Sequence, residues 1–408
     1  MSQRIFPDWL TAYQQYSDDG FTPRPFNEWV GLSVVAGVLE RKCWLPWSDT
    51  FSYYPNIFVL LVSLPGAGKS TALNKGMGLL HEMNTKLQTM SIIPSKVTEA
   101  KFIELMGTGT QFEHGSKLML QNAGFYWSSE ASNTLRKGGF YDLTSCLTDF
   151  YDCPPFWENA TKKEGRSTLR NICINVLAGS TFDYLSKLVT DDDIMGGFAS
   201  RLIFVVHREA LVRNQAFQLG GGGSIDPGRA EYRSALVQDL EQMHKMVGPF
   251  KASAEFGKAW EEWYPAFEKM RQAHPSEKMQ SLLVRTNTNV IKVAMLMSAS
   301  ESNNRLLTLE HWNKALQIVE PIGKDIPNIF RAAKAMDTTS QEGLNNAIAR
   351  AFEHSVEMNV AELKRKLIVT GFSPRDVNQT VDSLLNVGHF TQLSNGRIKL
   401  LGDAQNYF

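Results

Sequence analysis

Apolar residues recur at helical spacing from Phe26 to Leu39, at Trp29, Leu32, Val35, Ala36 and Leu39, which predicts a helix beside the first strand. The period then changes. Asn56-Ile57-Phe58-Val59-Leu60-Leu61-Val62 is a continuous apolar, β-prone run, as expected of a strand buried on both faces. A helix-prone stretch follows from Thr71 to about Asn84, and Pro94-Ser95 can start another helix within Ser91 to Met106. Gly124 to Ser129 is strand-like and closes on Glu130, and Leu143 to Tyr151 reads as helix. Between Pro154 and Arg170 two short segments flank a charged, glycine-containing turn, which predicts a β-hairpin with Lys162, Lys163 and Arg166 at its tip. Ile172 to Gly179 is a buried strand ending at Ser180-Thr181, and Leu202 to Val206 is a further one, entered from Arg201. The order predicts an α/β fold with a parallel sheet flanked by helices.

Beyond His207 the pattern loosens into Gly220-Gly221-Gly222-Gly223-Ser224, a flexible linker composition that also matches a common synthetic linker. Helical signals resume at Ala259 to Met270, Leu282 to Ala299, and Leu309 to Val319 behind Thr308 as N-cap. The last segment offers helices around Leu344 to Ala351, Val360 to Leu367 and Pro374 to Leu385, then two alternating runs around Ser394-Asn395-Gly396-Arg397. Asn-Gly between such runs signals a hairpin, and three helices with a hairpin predict a winged helix. The expected divisions are an N-terminal helical segment (1–50), a core (51–210), a linker (211–230), a helical region (231–337) and the winged helix (338–408).

Composition narrows the partners. The 408 residues are 43% hydrophobic, and 42 basic side chains balance 42 acidic ones, so any nucleic-acid surface must be local. Cys43, Cys146, Cys153 and Cys173 have neither paired nor metal-ligand spacing, which suits reduced thiols. The start of the chain lacks a signal-peptide apolar core and the run around Val59 is too short to span a bilayer, so a cytoplasmic protein without membrane partners is expected.

The densest chemical signal is Ser63-Leu64-Pro65-Gly66-Ala67-Gly68-Lys69-Ser70-Thr71, a phosphate loop between a strand and a helix. Its glycines let backbone N–H groups close on a phosphate, Lys69 reaches the β- and γ-phosphates, and the Ser70 hydroxyl can ligate Mg²⁺. ATP with Mg²⁺ is the expected ligand set, held by Ser63, Pro65, Gly66, Ala67, Gly68, Lys69, Ser70 and Thr71. Ser63 stands where the usual first glycine does. In such ATPases the neighbouring strand ends in two acids. Here only Glu130 is acidic, a general base or else a cap of the following helix, and Ser129 binds a magnesium hydration shell more weakly than an aspartate would. Ser180 or Thr181 can sense a γ-phosphate. Arg201 can reach a phosphate in a neighbouring subunit. Asp191-Asp192-Asp193 reads as a solvated turn rather than a metal site.

The series of phosphate loop, Trp127 to Glu130, basic hairpin, Ala178 to Thr181 and Gly196 to Arg201 resembles ring-forming AAA+ ATPases of the helicase branch. It looks most similar to an uncharacterised phage and prophage ATPase family that shares the Tyr54-Pro55-Asn56 lead-in and the Gly-Phe-x-Ser-Arg block. Superfamily 3 and minichromosome maintenance helicases resemble it more distantly. The resemblance covers about Phe26 to Pro321. It implies an AAA+ core with a helical lid, a homo-oligomeric ring, a pore hairpin gripping DNA through Lys162 and Lys163, Thr181 with Ser180 as sensor, and Arg201 as arginine finger. Arg285, with Lys292 two turns later on the same helix face, is either a second nucleotide sensor or a surface ion-pair residue.

Arg166, Arg375 and Arg397 complete the candidate DNA contacts, although the winged helix is balanced in charge and suits docking of a replication protein nearly as well. The expected function is an ATP-driven ring motor on DNA in mobile-element replication, most simply a helicase. The competing expectation is an ATP-switched loading factor that does not translocate.

Overall fold

Two helices precede the first long strand. Trp9–Ser17 (α1) is capped by Asp8, whose carboxylate accepts from the Leu10 N–H. Arg24–Leu39 (α2) starts on a proline, whose fixed φ suits a first helical turn. Thirteen of the sixteen residues of α2 are buried, so it is a central helix and not an amphipathic cover. It packs against α1, against the strands beside it and against helices from both halves of the sequence.

Cys43–Pro46 (β1) and Ser52–Tyr53 (β2) pair antiparallel and lead into Phe58–Ser63 (β3), all six residues of which are buried. The elements that follow are Lys69–Leu87 (α3), Ser91–Ile93 (β4), Glu99–Gly107 (α4), Thr110–His114 (β5), Lys117–Ser128 (β6) and Thr144–Phe150 (α5). Next come Phe156–Thr161 (β7), Gly165–Arg170 (β8), Ile172–Ser180 (β9) and Leu202–His207 (β10). The main sheet runs β10-β3-β9-β6-β4, every pair parallel, with β5 antiparallel on β6. This is the expected α/β arrangement, and β3 is flanked by β10 and β9. The strand β7 pairs with β8 as the expected hairpin.

The computed structural model describes residues 4–131, 143–161, 165–182, 184–185, 197–209, 227–336, 341–353, 357–393 and 396–400. Lys162, Lys163, the Asp191 to Asp193 run, the Gly220 to Ser224 linker and Ser394-Asn395 lie outside them. The chain divides into one unit of Met1–Thr181 with Leu188–Ile326 and a second of Phe182–Lys187 with Pro327–Phe408.

In the first unit, Pro227–His244 (α6), Ala254–Gln272 (α7), Glu277–Leu283 (α8), Thr286–Glu301 (α9) and Leu309–Met336 (α10) follow the sheet, α10 running on past the unit's end. Leu236 and Leu240 of α6 and Val290 and Leu296 of α9 belong to the same buried cluster as Val59 and Leu61 of β3. The carboxylate of Asp239, fully buried, accepts from the Ile5 and Phe6 N–H groups at 2.8 and 2.9 Å and so ties the start of the chain to α6.

The second unit carries three helices, Gln341–Glu353, Val360–Val369 and Pro374–Val387, with an antiparallel sheet of Met358–Asn359, Arg397–Leu400 and Phe390–Gln392. Its own core is built on Leu344, Ile348, Leu363, Val377, Val381 and Ile398. Among the described residues no helix is long and apolar enough to cross a membrane.

The packing of α3 on α2 is close enough to reverse the ordinary helix preference for alanine. A Cβ on Gly76 would lie 2.3 Å from Val30 Cγ1, whereas one on Gly257 in α7 would meet nothing within 4 Å. Gly76→Ala is expected to destabilise by about 1–3 kcal/mol through overpacking. Gly257→Ala is expected to stabilise by about 0.5–1 kcal/mol through lost chain entropy. Urea denaturation of both variants measures the opposite signs.

Candidate active site

The loop that leaves β3 takes its shape from two residues with positive φ, Gly66 and Gly68, each at 80°. A side chain at either would be strained, and Gly68 leads directly into α3. Ala67 and Gly68 are buried, while Ser70 and Thr71 are exposed on the first turn of the helix. The Lys69 ammonium donates to the Ser63 carbonyl at 3.0 Å, the Ser63 hydroxyl at 2.9 Å and the Leu64 carbonyl at 3.1 Å. Ser63, unusual for a phosphate loop, thus supplies two of the three acceptors on Lys69. Burial lowers the Lys69 pKa, and the nearby Glu130 charge works against that shift.

Glu130 stands near this lysine because β6 ends in a tight polar turn. The Ser128 hydroxyl donates to the Glu130 carbonyl at 2.8 Å and accepts from the Glu130 N–H at 3.2 Å. The turn lies directly against β9: a Cβ on Gly179 would stand 2.6 Å from the Ser129 carbonyl oxygen. Gly179 therefore lets Ser129-Glu130 cross the end of β9 toward the phosphate loop. A glycine inside a buried strand is the sequence signal for such an approach, and the sequence reading passed over it. Ser180 pairs with Val62, so Thr181 follows at the level of Ser63. The Ser180 hydroxyl donates to the Thr181 carbonyl at 3.2 Å. Lys69, Ser70, Glu130, Ser180 and Thr181 are all carried at the carboxyl end of the parallel strands.

The donor set suits a nucleotide with Mg²⁺. Positive-φ glycines precede a helix N-terminus, a charged lysine lies beneath it, and an exposed Ser70 hydroxyl adjoins that lysine. Among the described residues no group of three or more His, Cys, Asp or Glu side chains forms a metal cage.

Arg201 and Arg285 lie at the other end of the sheet. Leu202 pairs with Phe58, the first residue of β3, so Arg201 flanks the amino ends of the strands. Its guanidinium donates to the Gly197 carbonyl at 2.6 Å and to Asp152 at 3.4 Å, while its buried Nε has no partner among the described residues. Arg285 donates to both Asp152 oxygens at 2.9 and 3.4 Å. Both guanidiniums stand over the Tyr151 ring, which packs edge-on against Phe58. Burial lowers the Arg201 pKa, the charge of Arg285 adds to that, and Asp152 opposes it. The alternatives for Arg285 meet a geometric fact here: it is an ion-pair residue on Asp152, at the end of β3 opposite the phosphate loop of its own chain. The six residues of β3 separate the two ends by about 17 Å.

The remaining candidates are on other surfaces. Arg166 is exposed on β8 and paired with Glu158 across the hairpin. Phe156 on the same hairpin is exposed and lies under Arg170. In the second unit Arg375 and Arg397 are exposed, and Asp382 of the third helix pairs with Lys364 at 2.7 Å.

A bound phosphate must compete with the three acceptors that hold Lys69. Ser63→Ala removes one of them and keeps the backbone, so nucleotide affinity is expected to rise by about two- to fivefold, within the worth of one hydrogen bond. Titration with a non-hydrolysable ATP analogue checks this, and a weaker complex would show that the Ser63 hydroxyl serves the ligand instead. The reading of the site rests on its own geometry: no protein-family model matches the chain, and no curated protein matches it.

Proposed function

We propose that this chain is an AAA+ type ATPase that works as a homo-oligomeric ring and moves along DNA, most simply as a helicase in phage or mobile-element replication. The observation that carries the reading is the division of the site. Lys69, Glu130 and Thr181 are at the carboxyl end of the strands, and Arg201 is at the amino end, a strand's length away. A finger at that end serves a phosphate held by another copy, which makes assembly a condition of turnover. In this reading α6 to α10 act as the lid, and the C-terminal unit is a winged helix that contacts DNA or a replication partner.

The chemistry follows from the side chains. The loop N–H groups and Lys69 hold the β- and γ-phosphates of ATP, and Ser70 would hold Mg²⁺, which neutralises phosphate charge. Glu130 orients the attacking water, Ser180 and Thr181 register the γ-phosphate, and Arg201 of a second copy stabilises charge developing on the transferred group. The β7–β8 hairpin, with Lys162, Lys163 and Arg166, grips the DNA backbone through a salt-sensitive contact.

A second reading has its own support. Ser129 stands where a magnesium-shell acid is usual, which favours slow turnover and an ATP-switched loader that binds DNA or a replication protein without translocating. Turnover without strand displacement on a forked substrate selects this reading.

Lys69→Ala is expected to abolish ATP turnover and strand displacement together, and retained displacement would sink the motor. Arg201→Ala is expected to lower turnover by about 10³-fold, in the range of arginine-finger losses. Mixed into wild-type protein, Arg201→Ala subunits should depress turnover more than in proportion to their share. A strictly proportional loss would remove Arg201 from the neighbour's site.

A further inference from the structure

At the amino end of the sheet a cavity of about 190 Å³ opens between Ser52-Tyr53-Tyr54 and the start of α9. Arg285, Thr288 and Lys292, successive turns of one helix face, line it together with Asn56 and Asp152. Lys292 is 3% exposed, and among the described residues its ammonium has one hydrogen bond, to Asn56 Oδ1 at 2.8 Å, and one ring contact, over Tyr151 at 4.2 Å. An ammonium carries three donors and a full charge, so this lysine is under-satisfied for its burial. Asp152 is the carboxylate that bears on Lys292, Arg285 and Arg201 alike, and it is half exposed and already divided between the two guanidiniums.

We propose that this cavity is an oxyanion site within a single chain, which takes a phosphate group with Lys292 at its base and Arg285 at its rim. The charge balance supports an anion. Among the described residues Arg285 and Lys292 line the cavity with one carboxylate, Asp152, which Arg201 also shares, and with the Cys153 thiol, on which the Arg41 charge bears. The volume admits phosphate and is too small to enclose a whole nucleotide. Arg285 can turn from Asp152 to such an ion as a bidentate donor. Lys292 can be touched only by something inside the cavity, which separates this site from a contact made across a subunit boundary. Burial pushes the Lys292 pKa down to about 8, against the raising influence of Cys153 and Asp152, and a bound oxyanion would oppose that shift.

Two sources share this chemistry: free phosphate, and the terminal phosphate of a nucleotide carried by a second copy. Equilibrium dialysis of radiolabelled inorganic phosphate distinguishes them when performed on Lys69→Ala protein diluted to single copies, because that variant removes the phosphate-loop lysine. One saturable site per chain is expected, weakened at least tenfold by adding Lys292→Met and severalfold by adding Arg285→Gln. Methionine fills the lysine's space without its charge, and Arg285→Gln on the rim carries the test if the buried variant does not fold. Absence of phosphate binding in the Lys69→Ala protein overturns the site. So does binding that neither second substitution alters, or binding that arises only when wild-type copies loaded with ATP are added. The Arg201 mixing test is independent of all these outcomes, so failure here leaves the ring reading to stand or fall on its own.

Discussion

Everything in the first unit is referred to one buried strand. β3 has no exposed residue and neighbours on both edges, so its position and direction are fixed by packing against α2 and α3 and by two parallel ladders. Such burial is worth about 1.5–3 kcal/mol for each large apolar side chain, which holds the strand firmly in place. Its carboxyl end sets the phosphate loop, and its amino end sets the Asn56 network. Because the strand is extended, the two ends cannot meet within one chain. The separation of Arg201 from Lys69 and Glu130 is thus a consequence of strand length.

The amino end is held by a short motif whose physical role becomes plain in three dimensions. Tyr54 lies under the Arg41 guanidinium at 4.0 Å, and Asn56 donates to the Tyr151 carbonyl while accepting from Lys292. The Asn175 side chain accepts from the Ile57 N–H at 3.0 Å, so the entry to β3 is also tied to β9. Tyr54, Asn56 and Ile57 thereby tie together Arg41, Tyr151, Asn175 and Lys292, which are far apart in sequence. The same network brings together Cys153 and Cys173, which sequence spacing could not pair. Burial acts to raise the Cys153 thiol, but a hydrogen bond from Cys173 and the charges of Lys292 and Arg41 bring it below its usual value.

The helix α2, the strands β3, β9 and β10, and the Ser63 to Thr71 loop were legible because each carries a strong local signal: period, glycine placement, or an uninterrupted apolar run. The features that were not legible depend on tertiary context. β4 has three residues, too few for a period to register, and α4 begins at the Thr98 cap rather than at Pro94-Ser95. β5 and the first half of β6 leave Leu118 and Leu120 exposed, which breaks the alternation expected of a half-buried hairpin. Leu282 to Ala299 reads as one helix, yet the chain breaks at Val284-Arg285, and that break puts Arg285 at the start of α9 and on Asp152. Asp152 itself carries no motif and is found only through the partners it holds.

Asp152 also explains how two arginines can be both positioned and available. A carboxylate shared between guanidiniums, with a side chain 48% exposed, holds each one weakly, since solvent screens the pairs and the acceptor is divided. A well-satisfied buried pair would resist exchange, at a cost set by stripping one charge of its partner. Arg201 is poised differently from its neighbour: it is more buried, anchored on the Gly197 carbonyl, and its Nε has no partner among the described residues. Among the described residues that donor has no acceptor, which costs free energy, and a second acceptor near it would recover the lost hydrogen bond.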